Sequence, residues 1–97
     1  LVGVTKNSGS VAEKVGFKVA AAEAPYIITK PIHRSQQVVE RSADGSVILE
    51  IEVVINHELE RVFFGYAEGI QVLYPKTLVE LMGRKLKKAA EQYTHSK

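Results

Sequence analysis

Five apolar residues, Val47, Leu49, Ile51, Val53 and Ile55, stand at every second position, with Glu50 and Glu52 between them. A side-chain period of two belongs to an extended strand with one face buried and the other in water. The fold must therefore contain a sheet covered on one side, and the rest of the chain has to supply its other strands and its cover. Asp44-Gly45 precedes the run and is a strong hairpin signal, because both residues tolerate positive φ. This predicts a strand over Ser46–Ile55 paired with one over Gln37–Arg41, in which Val39 faces away from Val38. Lys14–Val19 alternates in the same way, with Val15, Phe17 and Val19 pointing one way and Lys14, Gly16 and Lys18 the other. Ile70–Tyr74 is a fourth, short strand, stopped by Pro75.

The cover is expected from helices. The alanine-rich stretch around Pro25 predicts a short one, roughly Glu23 to Thr29 and closed before Pro31, since proline fits a first helical turn. Asn56 is a good N-cap, Glu58 and Glu60 suit the positive end of a helix dipole, and Leu59, Val62, Phe63 and Tyr66 form a stripe at helical spacing. Gly65 and Gly69 bracket the end, as a glycine C-cap would. A last helix is predicted from about Thr77 to Tyr93. Leu78, Val79, Met82, Leu86, Ala89, Ala90 and Tyr93 cluster on one face, and Glu80, Arg84, Lys87 and Glu91 lie opposite. There Glu80–Arg84 and Lys87–Glu91 are i, i+4 pairs worth about 0.2–0.5 kcal/mol each. The order β-α-β-β-α-β-α describes an α+β domain. Its first six elements form the ferredoxin-like split βαβ sandwich, a four-stranded antiparallel sheet with two helices on one face, and a basic helix is added at the C-terminal end.

A chain of 97 residues makes one small domain. We place it at residues 13–97. Residues 1–12, with the polar run Lys6-Asn7-Ser8-Gly9-Ser10, read as a linker from an upstream domain, and Leu1 in place of methionine reads as the start of a fragment. No apolar run approaches the ~20 residues that span a bilayer, so no membrane partner is expected. The absence of cysteine excludes disulfides and thiolate metal sites and suits a reducing cytoplasm. The net charge of +2 is unevenly spread. From Pro75 to Lys97 six basic residues face two acidic ones, whereas Ser46 to Tyr74 holds five glutamates and one arginine. Complementary ends of this kind either steer association or form two solvated faces.

Chemistry-bearing residues are sparse. Histidines at 33, 57 and 95 come with no plausible triad, Gly-rich phosphate loop or metal pair, so neither catalysis nor a cofactor is expected. RNA binding on the sheet would need stacking aromatics on the central strands. Phe17 instead alternates with the buried valines, and Glu50 and Glu52 would repel phosphate. Arg61 lies about 160° around the wheel from its helix's apolar stripe. Its guanidinium either takes a phosphate bidentately and stacks on a base, or pairs with Glu58, Glu60 or a carboxylate of another domain. Phe64 also falls off the stripe, which points to an interface or to packing under the loop at Gly69. Arg84-Lys85-x-Lys87-Lys88 is a basic run that either touches phosphates, or a partner through Arg84, Lys87 and Lys88, or is simply solvated. His33 and Ser35 are expected to bond backbone where the second strand starts.

Several motifs, in order, resemble the C-terminal extension that follows WYL domains in bacterial transcriptional regulators, the WCX domain. Ala24-Pro25-Tyr26-Ile27 is similar to the family's Ala-Pro-Tyr-Val, and His33-Arg34-Ser35-Gln36 to its His-Pro-Ser-Gln. Asp44-Gly45-Ser46 sits at the family's hairpin turn. Glu58-Leu59-Glu60-Arg61 and the run to Gly65 resemble its Glu-Leu-x-Arg-Trp-Leu-Leu helix, and Val72-Leu73-Tyr74-Pro75 resembles Val-Leu-Glu-Pro. The likeness covers roughly Glu13 to Tyr93. Arg34 stands where proline is usual, Ile32 where tryptophan is common, and Val62 replaces the tryptophan that often follows the arginine. The resemblance implies a regulator in which an absent helix-turn-helix binds DNA and an upstream WYL domain binds a nucleic-acid or nucleotide-like ligand. The extension would then serve as a dimerisation and ligand-gating module of a homodimer. Arg61 and Arg34 are the candidate ligand contacts, and Phe64, Arg84, Lys87 and Lys88 the candidate interface. A free-standing ferredoxin-like small-molecule sensor, or a plain assembly domain, is the competing expectation.

Overall fold

A computed structural model describes residues 11–94. The polar run Lys6–Ser10, His95 and Lys97 lie outside the described residues. The elements run β1 (Glu13–Val19), α1 (Ala24–Thr29), β2 (Gln37–Arg41), β3 (Val47–Val53), α2 (His57–Tyr66), a 3-10 turn (Ala67–Gly69), β4 (Ile70–Tyr74) and α3 (Lys76–Thr94). The strands form one sheet in the order β2-β3-β1-β4, antiparallel at every pairing. This is the ferredoxin-like arrangement, with the added helix present.

Alternation works as the sequence requires. Val15, Phe17 and Val19 of β1 and Val47, Leu49 and Ile51 of β3 are buried, and the last three face the first three across the ladder in reverse order. Phe17 meets Phe63 of α2 with ring centroids 5.2 Å apart and planes tilted by 55°, a favourable geometry for two aromatic quadrupoles. The hairpin closes at Gly45, whose φ of 96° suits glycine. Asp44 Oδ1 accepts hydrogen bonds from Ser46 N–H at 2.9 Å and Ser46 Oγ at 2.7 Å. Those bonds hold the Asp44 carboxyl below its ordinary range.

The open face of the sheet carries one clasp. Gly16 on β1 lies between Glu50 of β3 and Tyr74 of β4. The Tyr74 ring lies over Gly16, where any Cβ would run into it. This lets the Tyr74 hydroxyl donate to Glu50 Oε2 at 2.5 Å. The hydrogen bond to that carboxylate, then burial, then its negative charge raise the Tyr74 phenol above its ordinary value.

Several expectations need correction. β3 ends at Val53, opposite the first residue of β1, so Val54 and Ile55 have no strand to pair with and leave the sheet. Val39 is not simply flipped. The β2–β3 register shifts between Val38 and Glu40, and both valines are exposed on a bulged edge strand. The C-terminus of α2 is not glycine-capped. Ala67 takes the positive φ (49°), while Gly65 stays within the helix. Within α2 the buried set is Leu59, Glu60 and Phe63, and Val62 is exposed. On α3 only Leu78 and Met82 are buried, and from Leu86 onward the helix runs past its supporting layer with Leu86, Ala89 and Ala90 exposed. The pairs Glu80–Arg84 and Lys87–Glu91 do not form. Among the described residues the ion pairs converge on Glu60. No helix of the described residues is long and apolar enough to cross a membrane.

Two outcomes are expected from the clasp. Gly16→Ala should force the Tyr74 ring aside and cost about 1.5–3 kcal/mol in urea unfolding, the usual range for a hydrogen bond to a charged group. The cost should be near zero in a Tyr74→Ala background, as a double-mutant cycle reads it. One of the four tyrosines should titrate later than the rest by ultraviolet absorbance and vanish in Tyr74→Phe. Because the folded phenol holds its proton more tightly than the unfolded one, this contribution is full below pH about 10 and is lost as pH rises through the folded value.

Candidate functional site

The segment between α1 and β2 is held by its own side chains. His33 Nδ1 accepts from Ser35 N–H at 3.1 Å and lies 2.8 Å from Ser35 Oγ. With Nδ1 accepting, the proton of a neutral ring sits on Nε2. Ser35 Oγ in turn accepts from Glu52 N–H at 2.8 Å, stitching the turn to β3. Gln36 Nε2 donates to the Ile27 carbonyl at 3.0 Å, and Gln36 Oε1 accepts from Ile32 N–H at 2.9 Å, tying the turn back to α1. His33, Ser35 and Gln36 are thus fastening residues. Arg34, between them, is exposed and takes part in none of these bonds.

α2 starts beside this turn. Asn56 Oδ1 accepts from Leu59 N–H at 2.9 Å, the N-cap that its residue type suggests. The turn, the end of β3 and the first turns of α2 enclose a cleft of about 420 Å³. Its surface is polar and apolar in nearly equal shares, the apolar part from residues such as Ile32, Val54 and Val62 and the polar part from residues such as His33, Asn56 and Glu58. Val62 is off the core because it lines this cleft. Neither Arg34 nor Arg61 lines the cleft itself. Arg34 is the chain neighbour of His33 and Arg61 the chain neighbour of Val62, two lining residues that the fold brings to one cleft from 29 positions apart in the sequence. Arg61 is exposed.

Of the two local carboxylates expected as partners for Arg61, Glu60 is engaged elsewhere. Glu60, with a side chain only 8% exposed, accepts from Lys85 Nζ of α3 at 2.8 Å and lies 3.6 Å from His57 Nδ1. Among the described residues Arg61 forms no ion pair with Glu58 or Glu60. The Lys85–Glu60 pair also changes the reading of the basic run on α3. Lys85 turns inward to fasten that helix to α2, and Arg84, Lys87 and Lys88 are exposed. Phe64 is half-buried and packs on the edge of the core, so it is not the free aromatic knob that its wheel position suggests.

A larger groove, about 880 Å³, lies between α1 and the end of α2 and is lined by Glu23, Pro25, Tyr26, Thr29, Lys30 and Tyr66. Tyr26 stands 70% exposed beside it, whereas its motif neighbours Ala24 and Ile27 are buried. Periodicity gave no sign of this groove, because α1 is too short to show a stripe. Among the described residues no three of His, Asp and Glu gather as a metal site would need.

A family model described as the WCX domain matches residues 12–90. No curated protein matches the chain. The fastening role of Ser35 is open to a direct check. Ser35→Ala should lower stability by about 1 kcal/mol, the loss of one net hydrogen bond. It should also speed amide exchange at Glu52 while leaving the β1–β3 ladder protected.

Proposed function

The chain belongs to the WCX domain family, and on that footing we propose that it is the non-catalytic regulatory module of a WYL-type bacterial transcriptional regulator, serving dimerisation and ligand gating. Its partners in that role are the upstream WYL domain of the same chain and a second copy. DNA is reached through a helix-turn-helix elsewhere in the regulator. The ligand is a nucleic acid or nucleotide-like molecule, and Arg61 and Arg34 are the contacts this domain contributes. One observation carries the reading. Two exposed arginines, neither in an ion pair among the described residues, are chain neighbours of His33 and Val62, which line one mixed polar and apolar cleft beside a fastened turn. An arginine in that setting can bind phosphate bidentately and stack on a base beside apolar surface. The fastening bonds of His33, Ser35 and Gln36 matter because they hold the backbone on either side of Arg34 before anything binds, which lowers the ordering cost of binding.

The gating step follows from linkage. A ligand shared between the WYL domain and this cleft binds one packing of the two domains better than another, and can shift their equilibrium only by that difference in affinity. The test is titration of the full-length regulator with short single-stranded DNA and RNA at two salt concentrations, with and without Arg61→Ala. The substitution should weaken binding by about 1.5–3 kcal/mol, the range for a hydrogen bond to a charged group, and flatten the salt dependence. Unchanged affinity would remove Arg61 from the ligand site and leave the domain as an assembly element.

A further inference from the structure

The outer half of α3 has a face that nothing among the described residues covers. Val79, Gly83, Leu86 and Ala90 recur with the alternating four–three spacing of a coiled-coil seam. Val79 is half-buried. Gly83 and Ala90 are exposed, and Leu86 is 42% exposed. The inner part of this seam forms one wall of an apolar groove of about 490 Å³, whose opposite wall includes Ala67 and Ile70. Gly83 is the unusual member. A glycine inside a helix is less stable there than alanine, yet a Cβ at Gly83 would meet nothing within 4 Å. No packing within the domain calls for it, whereas close approach of a second helix would.

We propose that α3 pairs antiparallel with α3 of a second copy along this seam. Setting Gly83 opposite the partner's Leu86 places that leucine in the space the missing Cβ leaves, and Val79 then faces the partner's Ala90. The same alignment brings Glu80 to the partner's Lys87 and, by the twofold, Lys87 to the partner's Glu80. Both residues are exposed, neither forms an ion pair among the described residues, and both sit on the same flank of the seam. A parallel pair would set glycine against glycine, leave a gap, and lose both ion pairs. The interface is isologous, as a twofold requires. The partner helix also fills the groove beside Ala67 and Ile70. The inference rests on the dimerisation reading above and supplies its surface. The basic run divides accordingly, with Lys87 in the contact, Lys85 on Glu60, and Arg84 and Lys88 turned away from the seam.

Sedimentation equilibrium of the chain at low salt is the test. Lys87→Glu and Glu80→Lys should each raise the dimer dissociation constant several-fold, since each sets like charges together twice. The double variant should recover wild-type association, because it rebuilds both pairs with reversed signs. Gly83→Ala should raise the melting temperature of the monomer while weakening the dimer, a combination that a folding defect cannot produce. If the chain dimerises but the single reversals leave the constant unchanged, or the double variant is worse than either, the seam is not the interface and dimerisation stands on another surface. A chain that stays monomeric at every concentration removes both this pairing and the dimerisation reading.

Discussion

Phe17 sits at the middle of β1, fully buried, with its ring against Phe63 of α2. β1 is hydrogen-bonded on both sides, to β3 and to β4, so its orientation determines that of the whole sheet. Turning Phe17 inward turns Gly16 outward, and an outward glycine at that point lets Tyr74 lie flat across β1 and reach Glu50. The opposite face follows from the same choice. The helices supply an aromatic above Phe17 in Phe63, and with Phe63 so placed Val62 of α2 is directed to the cleft and Glu60 to Lys85 of α3.

The strands were legible because a period of two survives in short segments. β2 and β4 begin and end at the residues the alternation and the turn signals indicate. The Asn56 cap was legible for a local reason: a side-chain amide three residues before a free N–H needs no tertiary context. What failed depends on neighbours. The wheel of α2 could not show that Glu60 would be buried, because its partner Lys85 comes from a helix 25 residues later. The wheel of α3 showed a continuous apolar face, but not that the supporting layer stops near Leu86. A helix's periodicity reports which residues share a face, and only the fold reports how far that face is covered.

The candidate site divides along the same line. That His33 and Ser35 serve the backbone follows from their places in a turn, and the bonds to Glu52 bear this out. That His33 and Val62 line one cleft does not follow from sequence, since it takes the β2–β3 hairpin to bring the turn before β2 back beside the end of β3. The family motifs fall into two kinds here. Ala24, Ile27, Ser35 and Gln36 are framework, while Tyr26, Arg34 and Arg61 point out of it.

The bulge at Val39 has a further effect. An edge strand displays unsatisfied backbone donors and acceptors that can template a foreign strand, and a local twist with charged neighbours is a common protection. β2 has both, in the shift between Val38 and Glu40 and in the charges of Glu40 and Arg41. That edge is therefore hard to extend, and the domain can expose its helices without β2 recruiting copies into open-ended fibres.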